Sequence, residues 1–335
     1  MVDTIQTKEG TVAISGESIR NSMRSMRRGK TKNILTPAAL AAHLKANGRK
    51  IGEGVADLYE QFEKESATFF AFLAPKIKRK INFQMIFLLD RTRVILNEKP
   101  DYYHASYVDG CRQAKQYILA QAPFNEATAS DFFRLVMQCK PEIIIVLMDL
   151  DQDGNEHEKI SPSTVMHTVI DRYIMPSNSK SKKYGAISVR NERQEKRSSS
   201  KESARNYSRY KLIITKEKEK EGKIEQKYQL MTFNSWTDDM IIPANDFVKF
   251  HKAVHKRLSD KPRECSQLVV CPTGAHRAGI WAVFDMEVER LKIKNRIRFS
   301  DTIKSVRNQR CNTIEHFQLF DGLLNLLVAY AKTQI

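Results

Sequence analysis

The feature that most constrains this chain is a cysteine and an arginine, Cys271 and Arg277, that stand between an apolar run and an amphipathic stretch. Residues 268–270 are apolar and rich in β-branched side chains, which predicts a buried strand. Residues 280–291 carry large apolar side chains at helical spacing, which predicts an amphipathic helix. The cysteine and the arginine therefore lie in a turn that leads from a strand into the N-terminus of a helix.

A turn of this kind has a chemical consequence. Several backbone N–H groups point into one concavity, and the helix dipole adds partial positive charge there, so that an anion is held. A cysteine at the base loses its proton more readily because the same field stabilises a thiolate. Arg277 offers a planar fork to two phosphate oxygens. The stretch predicts a nucleophilic thiolate beneath a phosphate cradle, suited to covalent phosphoryl transfer; the alternative is a buried structural cysteine.

The charge of the chain has a less specific meaning. The 335 residues carry a formal net charge of +17, an excess that attracts polyanions. Many basic residues crowd into the N-terminal 35 residues and into residues 177–206, and no nucleic-acid-binding signature is present. We therefore expect a solvated basic surface and no nucleic-acid partner. The basic N-terminal arm has a second interpretation, as a docking segment for an acidic partner.

Cysteine usage and hydropathy bear on the compartment. The five cysteines are odd in number and scattered, without a CxxC pair, which argues against a disulfide framework and against a zinc site. No apolar run approaches the length of a membrane span, and residues 1–32 have no signal-peptide core. The sequence predicts a cytoplasmic protein without a membrane span and without a metal or other cofactor.

The order of periodic segments predicts the architecture. Residues 1–35 are expected to be a disordered basic arm, and residues 36–332 a single domain that begins with a helical lead-in and contains a mobile Ser/Lys/Arg-rich loop at 177–206. The domain is expected to be α/β, a twisted mixed β-sheet flanked by helices on both faces. The predicted strands are 93–96, 101–109, 116–121, 143–147, 165–173, 210–215, 228–233 and 268–270; the predicted helices are 127–139, 245–258, 280–291, 301–307 (capped by Ser300) and 317–330.

Six short segments, in order, resemble motifs of the protein-tyrosine phosphatase family, in its tyrosine-specific, non-receptor branch. They are residues 90–94 (the family's DxSRV), 101–108 (DYINASYI), 116–123 (KYIATQGP), 236–238 (the WPD loop), 271–279 (the CxxGxxR signature) and 307–310 (RxxR). The resemblance spans about residues 50–332 and implies a tyrosine-phosphatase-like fold. The sequence Ala-Gln-Ala-Pro at residues 120–123 and the altered site also resemble those of divergent family members carried by viruses of parasitoid wasps.

The resemblance implies a mechanism for this chain. Cys271 would attack phosphorus and become a phosphocysteine, while Arg277 and the loop N–H groups hold the equatorial oxygens. Asp238 would protonate the leaving phenolate, although counting back from the proline that follows the loop selects Asp239. The implied substrate-contacting positions are Phe83, Trp236, Pro272, Thr273, Gly274, Ala275 and His276.

Departures from the family pattern concentrate at this site. Val270 replaces the histidine before the nucleophile, and Ala278 replaces the hydroxyl residue that donates to the thiolate. His276 stands where a glycine is usual, and Met85 where an aspartate grips the substrate backbone. Thr237 replaces the proline of the WPD motif. These changes lie around the reacting atoms, so they bear on activity more than on fold.

The sequence is compatible with two functions. In the family a glutamine orients the attacking water; its position falls on Glu315 or on Asn312 here, and neither supplies a glutamine. The nucleophile, the arginine and an acid are present, which favours an enzyme that hydrolyses phosphotyrosine in proteins. The altered surroundings favour the alternative, a catalytically weak or dead pseudophosphatase that binds phosphotyrosine proteins as a scaffold or substrate trap.

Overall fold

The chain divides into two units, Met1–Ser66 and Ala67–Ile335. The expected domain boundary near residue 35 lies outside the described residues. The computed structural model describes residues 3–7, 10–14, 67–148, 181–193, 207–218, 222–236, 240–259 and 265–334. In the first unit β1 (Asp3–Thr7) pairs with β2 (Gly10–Ile14) as an antiparallel hairpin. For these residues a strand pair stands where a disordered arm was expected, in keeping with their β-branched residues. The remainder of the arm and the predicted helical lead-in at 36–66 lie outside the described residues.

The second unit is built on a nine-stranded sheet. The strands are β3 (Arg93–Ile95), β4 (Tyr102–Val108), β5 (Tyr117–Gln121), β6 (Ile143–Val146), β7 (Ser181–Tyr184), β8 (Ile187–Arg193), β9 (Tyr207–Lys218), β10 (Gly222–Phe233) and β11 (Gln267–Cys271). Their order across the sheet is β3-β4-β5-β11-β6-β10-β9-β8-β7. The three pairings among β5, β11, β6 and β10 are parallel, and the other five are antiparallel, which confirms the predicted mixed sheet.

Helices follow the predicted order with small shifts at their ends. They are α1 (Phe70–Leu73), a 3₁₀ turn (Pro75–Lys80), α2 (Glu126–Cys139), α3 (Ala244–His255), α4 (His276–Lys294), α5 (Phe299–Arg307) and α6 (Phe317–Lys332). The predicted Ser300 cap is wrong, because α5 begins two residues before the predicted start and its N-cap is Arg298, without a side-chain cap hydrogen bond. Among the described helices, none combines the length with the apolar composition that a membrane span requires.

The sheet has an apolar core on each face. Along β6, Ile143 and Ile145 pack in a cluster with residues of α3, α4 and α6, whereas Ile144 and Val146 pack in a second cluster with residues of α2. Successive side chains of a strand point to opposite faces, so the two clusters lie on opposite sides of the sheet. The continuous apolar composition of β6 follows from burial on both faces, and the predicted placement of helices on both faces is confirmed.

Part of the expected basic loop is regular structure. Within residues 177–206, β7 and β8 form an antiparallel hairpin, and β8 pairs onward with β9. The expectation of a mobile loop is therefore wrong for residues 181–193. Its polar composition reflects a solvent-facing side, while Tyr184, Ile187 and Val189 are buried against the sheet's second core. Residues 194–206, and the strand predicted at 165–173, lie outside the described residues.

Candidate active site

The nucleophile predicted from sequence stands at the carboxyl end of a central strand. Cys271 is the last residue of β11, which runs parallel to β5 on one side and β6 on the other. Five residues later α4 begins at His276. The carboxyl ends of parallel strands are the edge at which open α/β sheets bind ligands. The predicted strand–turn–helix is therefore confirmed, and the buried Cys271 lies at its base.

Glycine is required at one point of the turn. Gly274 has a positive φ of 65°, and a Cβ atom there would lie 2.3 Å from the backbone N of Gln121 and 2.5 Å from the carbonyl carbon of Ala120. The N–H of Gly274 donates to the carbonyl of Cys271 at 3.1 Å. The loop folds tightly over the end of β5, so there is no room for a side chain at position 274. The left-handed backbone at this position is also one that glycine adopts without strain.

Two amides of the loop converge on one oxygen beside the sulfur. The N–H groups of Ala275 and His276 donate to Oγ1 of Thr273 at 3.2 and 3.1 Å. The same oxygen lies 3.6 Å from Sγ of Cys271. The hydroxyl of Thr273 therefore satisfies two donors of the predicted phosphate cradle, next to the sulfur. Pro272 contributes no donor because proline has no backbone N–H.

Arg277 and Trp236 are brought together, although they are far apart in sequence. The guanidinium carbon of Arg277 lies 5.3 Å from the centroid of the Trp236 ring, within cation–π distance. Arg277 is buried, and its Nη1 donates to the carbonyl of Leu147, just after β6, at 3.0 Å. Trp236 is itself buried and packs edge-on against Phe247 of α3. Thr237, Asp238 and Asp239 lie outside the described residues, so the identity of the acid stays a prediction.

Arg310 binds two backbone carbonyls of the loop. The sequence indicated this residue only through the resemblance of residues 307–310 to the RxxR motif, without a role. Its Nε donates to the carbonyl of Gly274 at 2.9 Å, and its Nη2 to the carbonyl of Thr273 at 3.2 Å. The side chain is fully buried, and burial lowers the pKa of Arg310 to about 10, so that it stays charged at neutral pH. By holding the carbonyl of Gly274, Arg310 fixes the peptide group whose N–H, on Ala275, donates to Oγ1 of Thr273 beside the sulfur.

The altered positions next to the nucleophile are accommodated by packing. Val270 belongs to the apolar cluster on the opposite face of the sheet from Cys271, so its side chain points away from the loop. Ala278 is buried in the same cluster as Cys271. The ring of His276 stands edge-on to that of His316, with 5.8 Å between centroids. His276 therefore lies at the rim of the cradle and not at its centre.

The segment around Phe83, the predicted aromatic contact for substrate, is hydrogen-bonded to the end of β5. The side chain of Gln121 accepts from the N–H of Asn82 at 2.8 Å and donates to the carbonyl of Lys80 at 3.3 Å. Phe83 is half-buried, whereas Met85 is 76% exposed. Gln121 thus links this segment to the turn beneath Gly274. Sequence reasoning missed its role, because only the fold shows which neighbours a buried amide has.

Both candidates for the water-orienting position lie together. Asn312 accepts from the N–H of Phe87 at 3.2 Å through Oδ1 and donates to Glu315 at 2.8 Å through Nδ2. The structure places Asn312 in contact with the segment after Phe83, and it places Glu315 beside Asn312. Neither register is excluded by this arrangement.

The fold of this chain resembles that of a solved protein structure. The fold matches the catalytic domain of human protein tyrosine phosphatase non-receptor type 18 with a TM-score of 0.63 and 17% identity, over 93% of this chain and 99% of that one. At that identity the likeness shows the fold alone: a tyrosine-phosphatase catalytic fold.

The family follows from sequence. The sequence profile of the protein-tyrosine phosphatase family matches residues 77–329. The chain belongs to the protein-tyrosine phosphatase family. It is 24% identical over 235 residues to human (Homo sapiens) receptor-type tyrosine-protein phosphatase alpha, a match covering 70% of this chain and 26% of that protein. It is 24% identical over 304 residues to receptor-type tyrosine-protein phosphatase F of Rattus norvegicus, covering 84% of this chain and 14% of that protein. The chain thus spans about a quarter or less of the length of these relatives.

Proposed function

We propose that this chain hydrolyses phosphotyrosine in proteins through a phosphocysteine intermediate. The observation that carries the proposal is the oxygen of Thr273, which two loop N–H groups hold 3.6 Å from the sulfur of Cys271. An oxygen in that place marks where an oxygen of a phosphoryl group would be bound during attack. Donors fixed around developing charge are commonly the largest single contribution to catalysis.

The proposed reaction has two steps. In the first, Sγ of Cys271 forms a bond to phosphorus, the bond from phosphorus to the tyrosyl oxygen breaks, and Asp238 gives its proton to that oxygen. In the second, water attacks phosphorus, its proton passes to Asp238, and the S–P bond breaks to release phosphate and the thiolate. Arg277 is proposed to hold two equatorial oxygens, since its buried guanidinium lies against Trp236, next to the segment that carries the acid.

Thr273 is proposed to replace the missing hydroxyl of Ala278. Its O–H group can donate to the sulfur while its lone pairs accept from the two amides, because a hydroxyl has one donor and two acceptor sites. When phosphate enters, its oxygen would take over the two N–H groups and the hydroxyl would remain beside the sulfur. The thiolate released in the second step is then stabilised by a donor that differs from the family's usual one.

A second candidate function is supported by the same oxygen. Thr273 already accepts from two cradle donors, Pro272 offers no N–H, and Ala278 offers no hydroxyl. A phosphoryl group must therefore displace an internal acceptor and then leave from a sulfur with few donors. These features suit a pseudophosphatase that binds phosphotyrosine proteins without turnover.

The proposal includes a cytoplasmic location and phosphotyrosine-containing proteins as partners. All five cysteines lie within the described residues and none forms a disulfide, which supports a reducing compartment. An acidic partner for the basic N-terminal arm remains part of the same proposal.

The deciding experiment measures phosphate release and binding on the same phosphotyrosine peptide. Release by the wild-type chain that is lost in Cys271→Ser supports the enzyme. Cys111→Ser is the matched control, because Cys111 is an exposed thiol whose sulfur contacts the carbonyl of Met286 in α4. Peptide binding without release in the wild type would reject the enzyme and support the pseudophosphatase. Release that persists in Cys271→Ser would exclude Cys271 as nucleophile.

A further inference from the structure

A second cluster of chemistry-bearing side chains lies between α3 and α4, away from the cradle. His251 and His255 stand one turn apart on α3, and both Nε2 atoms face a single carboxylate oxygen, Oδ1 of Asp285 on α4. The distances are 2.7 Å from His251 and 2.5 Å from His255. The ligand atoms of all three residues lie within 4.8 Å of one another. Residues at i and i+4 share one face of a helix, so this convergence is built into α3.

The carboxylate is oriented from behind by a buried network. The other oxygen of Asp285, Oδ2, accepts from the hydroxyl of Tyr117 at 2.7 Å and from Nε2 of Gln267 at 3.0 Å. Gln267 is fixed in turn by the indole N–H of Trp281, which donates to its Oε1 at 2.7 Å. These bonds aim Oδ1 at the two imidazoles. Hydrogen-bonded outer partners of this kind are typical of carboxylates that bind metal ions.

The carboxylate and one of the imidazoles are shut off from solvent. Asp285 is 0% exposed and His251 1% exposed, so the carboxylate has protein groups and not water as its neighbours. A buried carboxylate needs a compensating positive charge.

The surroundings supply further negative charge. Glu289, one turn beyond Asp285 on α4, is buried, and its pKa is raised by burial and then by the Asp285 carboxylate. Its Oε1 lies 2.6 Å from Nε of Arg112, whose positive charge offsets part of the negative charge of Glu289. Asp285 and Glu289, four residues apart, thus place two carboxylates on one face of α4.

We propose that His251, His255 and Asp285 form a binding site for a divalent transition-metal ion, with Zn²⁺ as the best match. Two neutral imidazoles and one carboxylate, with a fourth position left for water, are a donor set that zinc takes in proteins. Zinc bonds of about 2.0–2.2 Å would place tetrahedral ligand atoms about 3.3 Å apart, so the present contacts must open by under about 1 Å. The side chain of His255 is 24% exposed, which provides an entry path.

An ion at this site would join two helices that serve the cradle. The segment that carries Trp236 and the predicted acid leads into α3, and α4 carries Arg277 in its first turn. The ion would fix the far part of α3 against α4 without contacting Cys271. We therefore expect it to stabilise the domain. This inference does not depend on whether the chain is an active phosphatase.

The test measures zinc binding to the full chain in a Cys271→Ser background, which removes the cradle thiol as a competing ligand. Titration against a chromophoric zinc indicator should give one ion per chain and a rise in melting temperature. In His255→Gln the affinity should fall at least tenfold and the rise in melting temperature should disappear. His316→Gln is the matched control, since His316 belongs to the only other described cluster of three metal-binding side chains, with His276 and Glu315.

His255→Gln could misfold, so a second measurement uses the Cys271→Ser chain without any change at the proposed zinc site. Zinc added to the Cys271→Ser chain should shift the ring resonances of His251 and His255, and leave those of His316 in place. Equal affinity in His255→Gln, or affinity lost in His316→Gln instead, would overturn the proposal. Shifts confined to His276 and His316 would overturn it as well and assign the ion to the rim of the cradle.

Discussion

Oγ1 of Thr273 lies 3.6 Å from Sγ of Cys271 and accepts from two N–H groups of the same loop. One hydroxyl therefore does two things in the ligand-free cradle. It accepts from two N–H groups of the loop, and it lies within hydrogen-bond distance of the sulfur. The balance between these effects can be measured, because removing the hydroxyl releases the donors and deprives the thiolate of a partner at the same time.

Thr273→Ala should strengthen binding of an anion and slow turnover. The N–H groups of Ala275 and His276 then have no internal acceptor, so vanadate should bind about threefold to tenfold more tightly, as expected for one or two hydrogen bonds of modest net strength. Loss of the hydroxyl beside the sulfur should lower kcat by a similar factor. Vanadate inhibition and steady-state hydrolysis of an aryl phosphate measure the two effects.

Thr273→Ser is the control for this change, since it keeps the hydroxyl and removes only a methyl group. It should behave as the wild type in both measurements. If Thr273→Ala and Thr273→Ser bind vanadate equally well, the hydroxyl does not compete with the anion, and Oγ1 of Thr273 does not mark the place of a phosphoryl oxygen.

Gly274→Ala should destabilise the domain more than another glycine substitution with the same backbone requirement. The new Cβ would meet the backbone of β5 at 2.3 Å from the N atom of Gln121, so either the loop or the strand must move. Gly222→Ala is the control: Gly222 also has a positive φ, 80°, but a Cβ there would meet nothing within 4 Å. A left-handed conformation alone costs about 1–2 kcal/mol.

The two variants are compared by chemical denaturation. The free energy of unfolding should fall by about 1–2 kcal/mol in Gly222→Ala, and by clearly more in Gly274→Ala, where a clash adds to the strain. Equal losses in the two variants would mean that β5 does not press against the turn.

Arg310→Lys should impair the cradle, whereas Arg307→Lys should affect only stability. Arg310 donates through two nitrogens to the carbonyls of Gly274 and Thr273, a fork that lysine cannot reproduce. Arg307 makes a comparable pair of bonds, to the carbonyls of Thr313 and Ile314, away from the loop. Charge-assisted hydrogen bonds contribute about 1.5–3 kcal/mol, so kcat/KM should fall about tenfold to a hundredfold in Arg310→Lys.

The readout is a comparison of kcat/KM with the free energy of unfolding in both variants. Arg307→Lys should lose stability while kcat/KM stays within about twofold of the wild type. A parallel loss of kcat/KM in both variants would show that Arg310 acts on the fold as a whole and not on the direction of the loop amides.

Local pattern predicted the elements that position the nucleophile. The β-branched run before Cys271 and the helical spacing after it are signals contained in consecutive residues, and β11 and α4 form there. The polar hairpin β7–β8 was missed for the same reason. Its composition resembles a loop, and the alternation of Tyr184, Ile187 and Val189 becomes visible only once one side of the hairpin is packed.

Contacts between distant segments were beyond the reach of local pattern. The stacking of Arg277 on Trp236 and the support of the loop by Arg310 join residues from separate elements. The hydroxyl of Thr273 is a different case, because it lies within the motif. Its role was missed since side-chain direction in a turn depends on the backbone dihedrals, which the residue types do not fix.

The last prediction concerns the acid, for which the sequence leaves two neighbouring carboxylates. Asp238→Ala should slow hydrolysis of phenyl phosphate by about 10²–10⁴-fold, the contribution expected of a positioned general acid. An aryl phosphate whose phenol is much more acidic should be affected far less, because its leaving group needs little protonation. Asp239→Ala is the matched control and should change neither rate by more than about twofold. The reverse pattern would transfer the role to Asp239, and equal, small effects in both variants would leave the chain without a general acid and favour the pseudophosphatase.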